Sequence, residues 1–80
     1  MSIPQNVRRE LDTPTLRSTA PHVVRYFYRS STNPNNLLIG YAFFSTELEA
    51  REFFYKYGDQ ETRPTLLTRL EFLRERTQRG

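Results

Sequence analysis

The sequence predicts a small α+β domain in which an antiparallel β-hairpin packs on helices. Two aromatic, β-branched segments separated by a turn-rich stretch indicate the hairpin. A helix-capping pattern follows the second segment, and a leucine-rich segment comes after it. Because the chain has 80 residues, we expect a single domain with a thin hydrophobic core.

Two predicted strands, residues 22–30 and 37–45, form the hairpin. They read HVVRYFYRS and LLIGYAFFS, and both are rich in residue types with a high strand propensity. The residues between them are Ser, Thr, Asn and Pro, which are typical of turns. Side chains alternate between the two faces of a strand, so Arg25 and Arg29 share one face while Tyr26 lies on the other.

The segment that follows, residues 47–57, is predicted to be a helix. Thr46 is the favoured N-cap, because Glu49 then stands at the third helical position and completes a capping box. Gly58 is placed to end the helix. We expect the side chains at helical spacing on one face to pack on the hairpin: Ala50, Phe53, Phe54 and Tyr57.

Residues 65–77 are predicted to form a second helix, and a strand is the alternative. Pro64 lies near the start and three arginines lie toward the end, as helix geometry and the helix dipole favour. Phe72 falls outside the expected apolar stripe, which consists of Leu66, Leu67, Leu70 and Leu73. The strand alternative rests on a second pattern, the alternation of Leu66, Thr68, Leu70 and Phe72.

Residues 1–20 are predicted to be an extended N-terminal arm, and residues 21–80 a single α+β domain. The arm contains two prolines and few large apolar residues. Val7 and Leu11 are four positions apart, which permits a short helix over about residues 5–12, and Pro14 would either end it or start a new element. Three alternatives stay open: the arm is a frayed tail, it orders only on a partner, or it covers part of the sheet.

The composition argues against an enzyme and against a bound cofactor. There is no cysteine, which excludes disulfides and thiolate zinc sites and fits a cytoplasmic setting. One histidine and three scattered glycines provide neither a metal-ligand pattern nor a phosphate loop. No apolar run is long enough for a membrane span, and no small-molecule substrate is evident. The net charge is +3, with a pI near 9.7.

The candidate site is one face of the hairpin, where aromatic and arginine side chains occur without acids. The face with Gly40 and Ala42 leaves room for the helix, so the opposite face is expected to be open. The predicted partner-binding residues are Arg25, Arg29, Ile39, Tyr41 and Phe43, with Leu48 and Tyr55 on the outer face of the helix. The pairing register decides whether Arg25 and Arg29, or instead Tyr26 and Tyr28, lie beside Tyr41.

The function expected from these features is docking on another protein, as an accessory subunit, adaptor or inhibitor. Tyr, Phe and Arg are typical of interface hot spots, and an isolated hairpin is marginal in water. A homodimer, or a monomer complete in itself, is the alternative to a foreign partner. Nucleic-acid binding is the alternative function, using Arg25, Arg29, Tyr41, Phe43, Arg74, Arg76 and Arg79.

One short segment resembles a known family. Residues 40–44, read as GYAFF and followed by a helix, resemble the third-strand motif of RNA-recognition domains, whose outward aromatic residues stack on RNA. Ile39 stands where that motif has a basic residue, and Thr46 where it has its last aromatic residue. Residues 1–21 do not supply the family's preceding strand and helix, so no function is carried over.

Overall fold

The computed structural model describes residues 3–30 and 32–79, except the side chains of residues 78 and 79. The elements are α1 (Gln5–Glu10), α2 (Pro14–Thr19), β1 (His22–Arg29), β2 (Leu37–Phe44), α3 (Glu47–Lys56), β3 (Thr65–Thr68) and α4 (Arg69–Arg79). The three strands form one antiparallel sheet in the order β2-β1-β3. The predicted α+β class, its hairpin and the helix that follows are confirmed.

The third strand corrects the prediction of one helix over residues 65–77. Residues 65–68 pair with the free edge of β1, from His22 opposite Thr68 to Arg25 opposite Thr65, and the helix begins only at Arg69. Hydrogen bonds to a strand forty residues earlier decide this conformation, and they have no local signal in the sequence. The strand alternative was therefore right for four residues and wrong for the rest.

The sheet has a hydrophobic core on each face. On one face, α1 and α3 cover a cluster of Ile3, Val24, Tyr26, Ala42, Phe44, Ala50, Phe53 and Tyr57. On the other face, α2 and α4 cover a cluster of Ala20, Val23, Phe43, Leu67 and Phe72. We call these the first face and the second face of the sheet.

The N-terminal segment is not an extended arm but two short helices on opposite faces of the sheet. Thr13 caps α2, since its Oγ1 accepts from the backbone N–H of Leu16 at 3.2 Å. Between the helices the chain crosses the edge of β2, where the carbonyl of Leu11 accepts from the N–H of Phe43 at 2.8 Å. Helix α1 confirms the short helix that the spacing of Val7 and Leu11 permits. Helix α2, which starts at Pro14, has only six residues, too few to show a clear apolar period. The division into residues 1–20 and 21–80 as separate units stays a prediction.

Helix α3 follows its sequence signals closely. The backbone N–H of Glu49 donates to Thr46 Oγ1 at 3.2 Å, which confirms Thr46 as the N-cap. The carboxylate of Glu49 accepts from the same hydroxyl at 2.9 Å. Ala50, Phe53 and Tyr57 are buried as predicted, while Phe54 is half-buried at the border of the core.

Candidate functional site

The pairing register places arginines, not tyrosines, beside the predicted aromatic site. Arg25 lies opposite Tyr41 and Arg29 opposite Leu37, and directly opposite residues of antiparallel strands share a face. The second face therefore carries Arg25 and Arg29 together with Ile39, Tyr41 and Phe43. An open surface with arginines beside these rings would favour an acidic or phosphate-bearing partner.

This face is covered, however, so the expectation of an open aromatic surface is wrong. The ring of Phe72, on α4, lies edge-on to Phe43 at 5.1 Å and to Tyr41 at 4.9 Å between centroids. Phe43 is 1% exposed and Tyr41 is half-buried. The prediction failed because the second core depends on Phe72, the residue that lay outside the expected apolar stripe of α4.

The arginines of the second face bind acids of the same chain. Arg25 Nη1 donates to Glu75 Oε2 at 2.9 Å, and the hydroxyl of Tyr41 donates to Glu75 Oε1 at 3.2 Å. Arg29 pairs with Glu61 at 2.7 Å. Arg25 and Tyr41 therefore tie β1 and β2 to α4 through one carboxylate.

The outer face of α3 is open, as the sequence predicted. Leu48 and Tyr55 are 66% and 76% exposed. Arg51, which lies beside them, pairs with Glu47 at 3.0 Å in the i,i+4 arrangement. Ile39 is half-buried at the edge of the sheet, so of the predicted partner-binding residues only these two helix residues form an open apolar surface.

Helix α4 shows a second open apolar surface, which the sequence analysis assigned to the core. Phe72 alone among its described side chains is buried, whereas Leu70 and Leu73 are 58% and 41% exposed. These leucines are three residues apart, so they share a helix face. Arg74 and Arg76 are also exposed, and the side chain of Arg79 lies outside the described residues.

A third feature, at the edge of β2, was missed by the sequence analysis. A cleft of about 350 Å³ lies between α1, α2 and the sheet, and Arg8, Arg9, Arg17 and Asp12 line it. The i,i+4 spacing suggests a pair between Arg8 and Asp12. The helix ends before Asp12, however, and this carboxylate binds Arg17 instead. The adjacent arginines Arg8 and Arg9 are the one feature of the sequence that could have indicated this site.

A metal centre is not found in the part of the chain that the structure describes. That part contains no group of three or more His, Cys, Asp or Glu side chains able to hold a metal ion. It also contains no helix with the length and apolar character needed to cross a membrane. No protein-family model matches the chain, and no curated protein or solved structure matches it.

Proposed function

We propose that the protein is a small non-catalytic binding protein that docks on another protein, as an accessory subunit, adaptor or inhibitor. The observation that carries this proposal is the orientation of α4. Its two leucines, Leu70 and Leu73, point to solvent although one aromatic residue, Phe72, suffices to fill the second core. Single exposed leucines are common, but an apolar pair on one helix face matches the way helices bind apolar grooves.

The surroundings of this pair indicate the kind of partner. Arg74 follows Leu73 directly and is exposed, and Arg76 lies two residues further along the same helix. Charges at the rim of an interface mainly steer and orient the partner, whereas buried apolar groups supply most of the affinity. The surface therefore fits an apolar groove with acidic residues at its rim.

The proposal can be tested by photo-crosslinking in the native host. A benzophenone amino acid replaces Leu70 in the full chain, or Gln60 in a turn on the surface as the control position. We expect one crosslinked protein from position 70, and we expect Leu73→Ser to abolish it in the same chain. Crosslinks that are absent, or equal at both positions, would contradict docking through α4.

The identified partner then permits a matched comparison of the two open apolar surfaces. Leu70→Ser with Leu73→Ser should weaken binding by about tenfold or more, since truncation of a buried interface residue costs above 1 kcal/mol. Leu48→Ser with Tyr55→Ser is the control on α3. Circular dichroism should show an intact fold in both, because all four side chains are exposed. A larger loss of affinity from the α3 pair would show that the docking surface is on α3 and not on α4.

Nucleic-acid binding is the second candidate, and the exposed Arg74 and Arg76 favour it. Arg25 and Arg29, which the sequence analysis assigned to it, already bind Glu75 and Glu61. Phosphate contacts make affinity fall steeply with salt. Retention on an oligonucleotide column that survives Arg74→Ala with Arg76→Ala would exclude nucleic-acid binding through α4. No retention of the unaltered chain would exclude this function.

A further inference from the structure

The cleft at the edge of β2 collects cationic and aromatic side chains from four elements, α1, α2, β1 and β2. Its volume is about 350 Å³, near the lower end of the range for small-molecule sites. The residues that matter for its chemistry are Arg8, Arg9, Asp12, Arg17, Tyr26 and Tyr28. We call it the arginine cleft. It is separate from the outer face of α4, so it does not depend on the proposed docking function.

Arg8 is the central cation of the arginine cleft, and a ring rather than a carboxylate holds it in place. Its guanidinium carbon lies 4.0 Å from the centroid of the Tyr28 ring, a cation–π contact. Its Nε is buried without an acceptor, and no acid among the described residues forms an ion pair with it. A fixed guanidinium with unused donors is suited to bidentate binding of an oxyanion.

The charges in the cleft do not cancel. Asp12 accepts from Arg17 Nη2 at 3.1 Å and also from its Nε, so this pair is neutral as a unit. Arg8 and Arg9 remain, and Arg9 is exposed without a described acidic partner. The three arginines and one aspartate leave a net charge of +2 in the cleft.

Tyr26 extends the donor set, and Gly40 allows it to do so. A Cβ on Gly40 would lie 2.7 Å from the Tyr26 ring and 2.8 Å from its hydroxyl oxygen. Any side chain at position 40 would therefore displace the ring. Burial raises the pKa of the Tyr26 phenol, an effect that Arg8 partly opposes, so the hydroxyl stays protonated and able to donate.

We propose that the arginine cleft binds the phosphate monoester group of a small molecule. A phosphate monoester carries a charge near −2 at neutral pH and has three acceptor oxygens, which match the net charge and the guanidinium donors of the cleft. A carboxylate would neutralise only half of that charge. The volume leaves room for the phosphate and a small attached group, but not for an extended chain.

The test is an NMR titration of the full chain, with glycerol 3-phosphate and inorganic phosphate as probes. We expect saturable shifts of the Arg8 and Arg9 side-chain N–H signals and of the backbone amides around Gly40 with both probes. Acetate and glycerol at matched ionic strength should leave these signals in place. Equal shifts with acetate, or no saturation with either phosphate, would overturn the proposal.

Variants then assign the site to the cleft. Arg8→Gln should weaken glycerol 3-phosphate binding by about tenfold or more, the usual cost of a lost charge-assisted hydrogen bond. Arg8→Lys keeps the charge but not the planar fork, so it should recover part of the loss. Arg74→Gln on α4 is the matched control and should bind normally. Equal affinity in Arg8→Gln and Arg74→Gln, with both folded, would overturn the assignment.

A last binding measurement distinguishes a small ligand from a nucleic acid. A short single-stranded oligonucleotide without terminal phosphates presents only phosphodiesters, each with one charge. We expect it to shift the Arg8 signals less than glycerol 3-phosphate does at equal phosphate concentration. Tighter binding of the oligonucleotide through Arg8 and Arg9 would overturn the small-molecule proposal. The Leu70→Ser and Leu73→Ser variant should bind glycerol 3-phosphate as the unaltered chain does.

Discussion

The two faces of the sheet are closed by different interactions. Under α1 and α3, rings pack on rings, and Phe53 lies within 6 Å of Tyr26, Phe44 and Tyr57 between centroids. Under α2 and α4, the one ring that α4 supplies, Phe72, packs on Phe43 and Tyr41 and is supplemented by an ion pair and hydrogen bonds. An arginine beside aromatic residues can therefore lie partly buried at the border of a core, where its polar contacts help to hold a helix that supplies a single buried ring.

The polar contacts of the second face have a further effect on α4. Arg69 donates to the carbonyls of Arg17, Ser18 and Ala20 at 2.7–3.0 Å, which satisfies the carbonyl end of α2. Glu75 binds Arg25 and Tyr41 at 2.9 and 3.2 Å on the sheet. With its inner side fixed in this way, α4 keeps its leucines on the outside.

The largest loss of stability is expected from a substitution in the core of the first face. Phe53→Ala should lower the free energy of unfolding by about 3–5 kcal/mol, because it removes a ring packed on three others. Urea denaturation followed by circular dichroism measures it. Phe54→Ala is the matched control, since its half-buried ring should cost clearly less. Equal losses from the two variants would mean that the first face is not the main core.

A substitution in the core of the second face is expected to lower the free energy of unfolding by a comparable amount. It should loosen α4 before the sheet. Phe72→Ala should cost about 3 kcal/mol, since it deletes the one side chain that is buried among those described on α4. Hydrogen exchange should show lost protection of residues 69–79 before that of β1 and β2. If protection of the whole sheet fell together, the second face would be as central to folding as the first.

The contacts of Glu75 with Arg25 and Tyr41 on the second face should contribute less to the free energy of unfolding than either core does. Glu75→Gln should lower stability by about 1–2 kcal/mol, because it leaves Arg25, 29% exposed in its side chain, without its charged partner. Glu61→Gln is the control, because it breaks the more exposed pair with Arg29 and should cost below about 1 kcal/mol. Thermal unfolding of both variants measures the difference. The opposite ranking would contradict a structural role for Glu75.

The smallest expected effect is a loss of stability at high pH. It comes from Tyr26, on the first face. Burial raises the pKa of Tyr26 above the ordinary tyrosine value of about 10. The stability linked to its protonated form is therefore fully present below pH 10 and is lost as the pH rises through the folded-state pKa. Denaturation curves between pH 9 and 11.5 should fall less steeply in Tyr26→Phe. Parallel curves would show that the phenol is not buried.

The sequence was informative wherever a structure depends on local signals. The hairpin follows from strand propensity on both sides of a turn, and α3 from its cap at Thr46 and its apolar face. The cap and the face involve residues within four positions of each other along the chain. Sequence reasoning therefore located both elements to within one residue at their ends.

The sequence was uninformative where a distant partner decides. Glu75 pairs with Arg25 although the two residues are fifty positions apart, and no residue near Arg25 in the sequence predicts this pair. Leu70 and Leu73 fit an apolar helix stripe better than Phe72 does, yet the sheet accepts the single large ring. The arginine cleft depends on α1 ending before Asp12, which places that acid against Arg17 rather than Arg8.

The most direct test of this account is whether α4 closes the second face of the free protein. In a nuclear Overhauser spectrum of the full chain, the ring protons of Phe72 should show cross-peaks to those of Phe43 and Tyr41, whose ring centroids lie 5.1 and 4.9 Å away. Those contacts would establish that the aromatic hairpin face is interior and that binding must use other surfaces. Cross-peaks from Leu70 or Leu73 to Phe43 in place of Phe72 would contradict it.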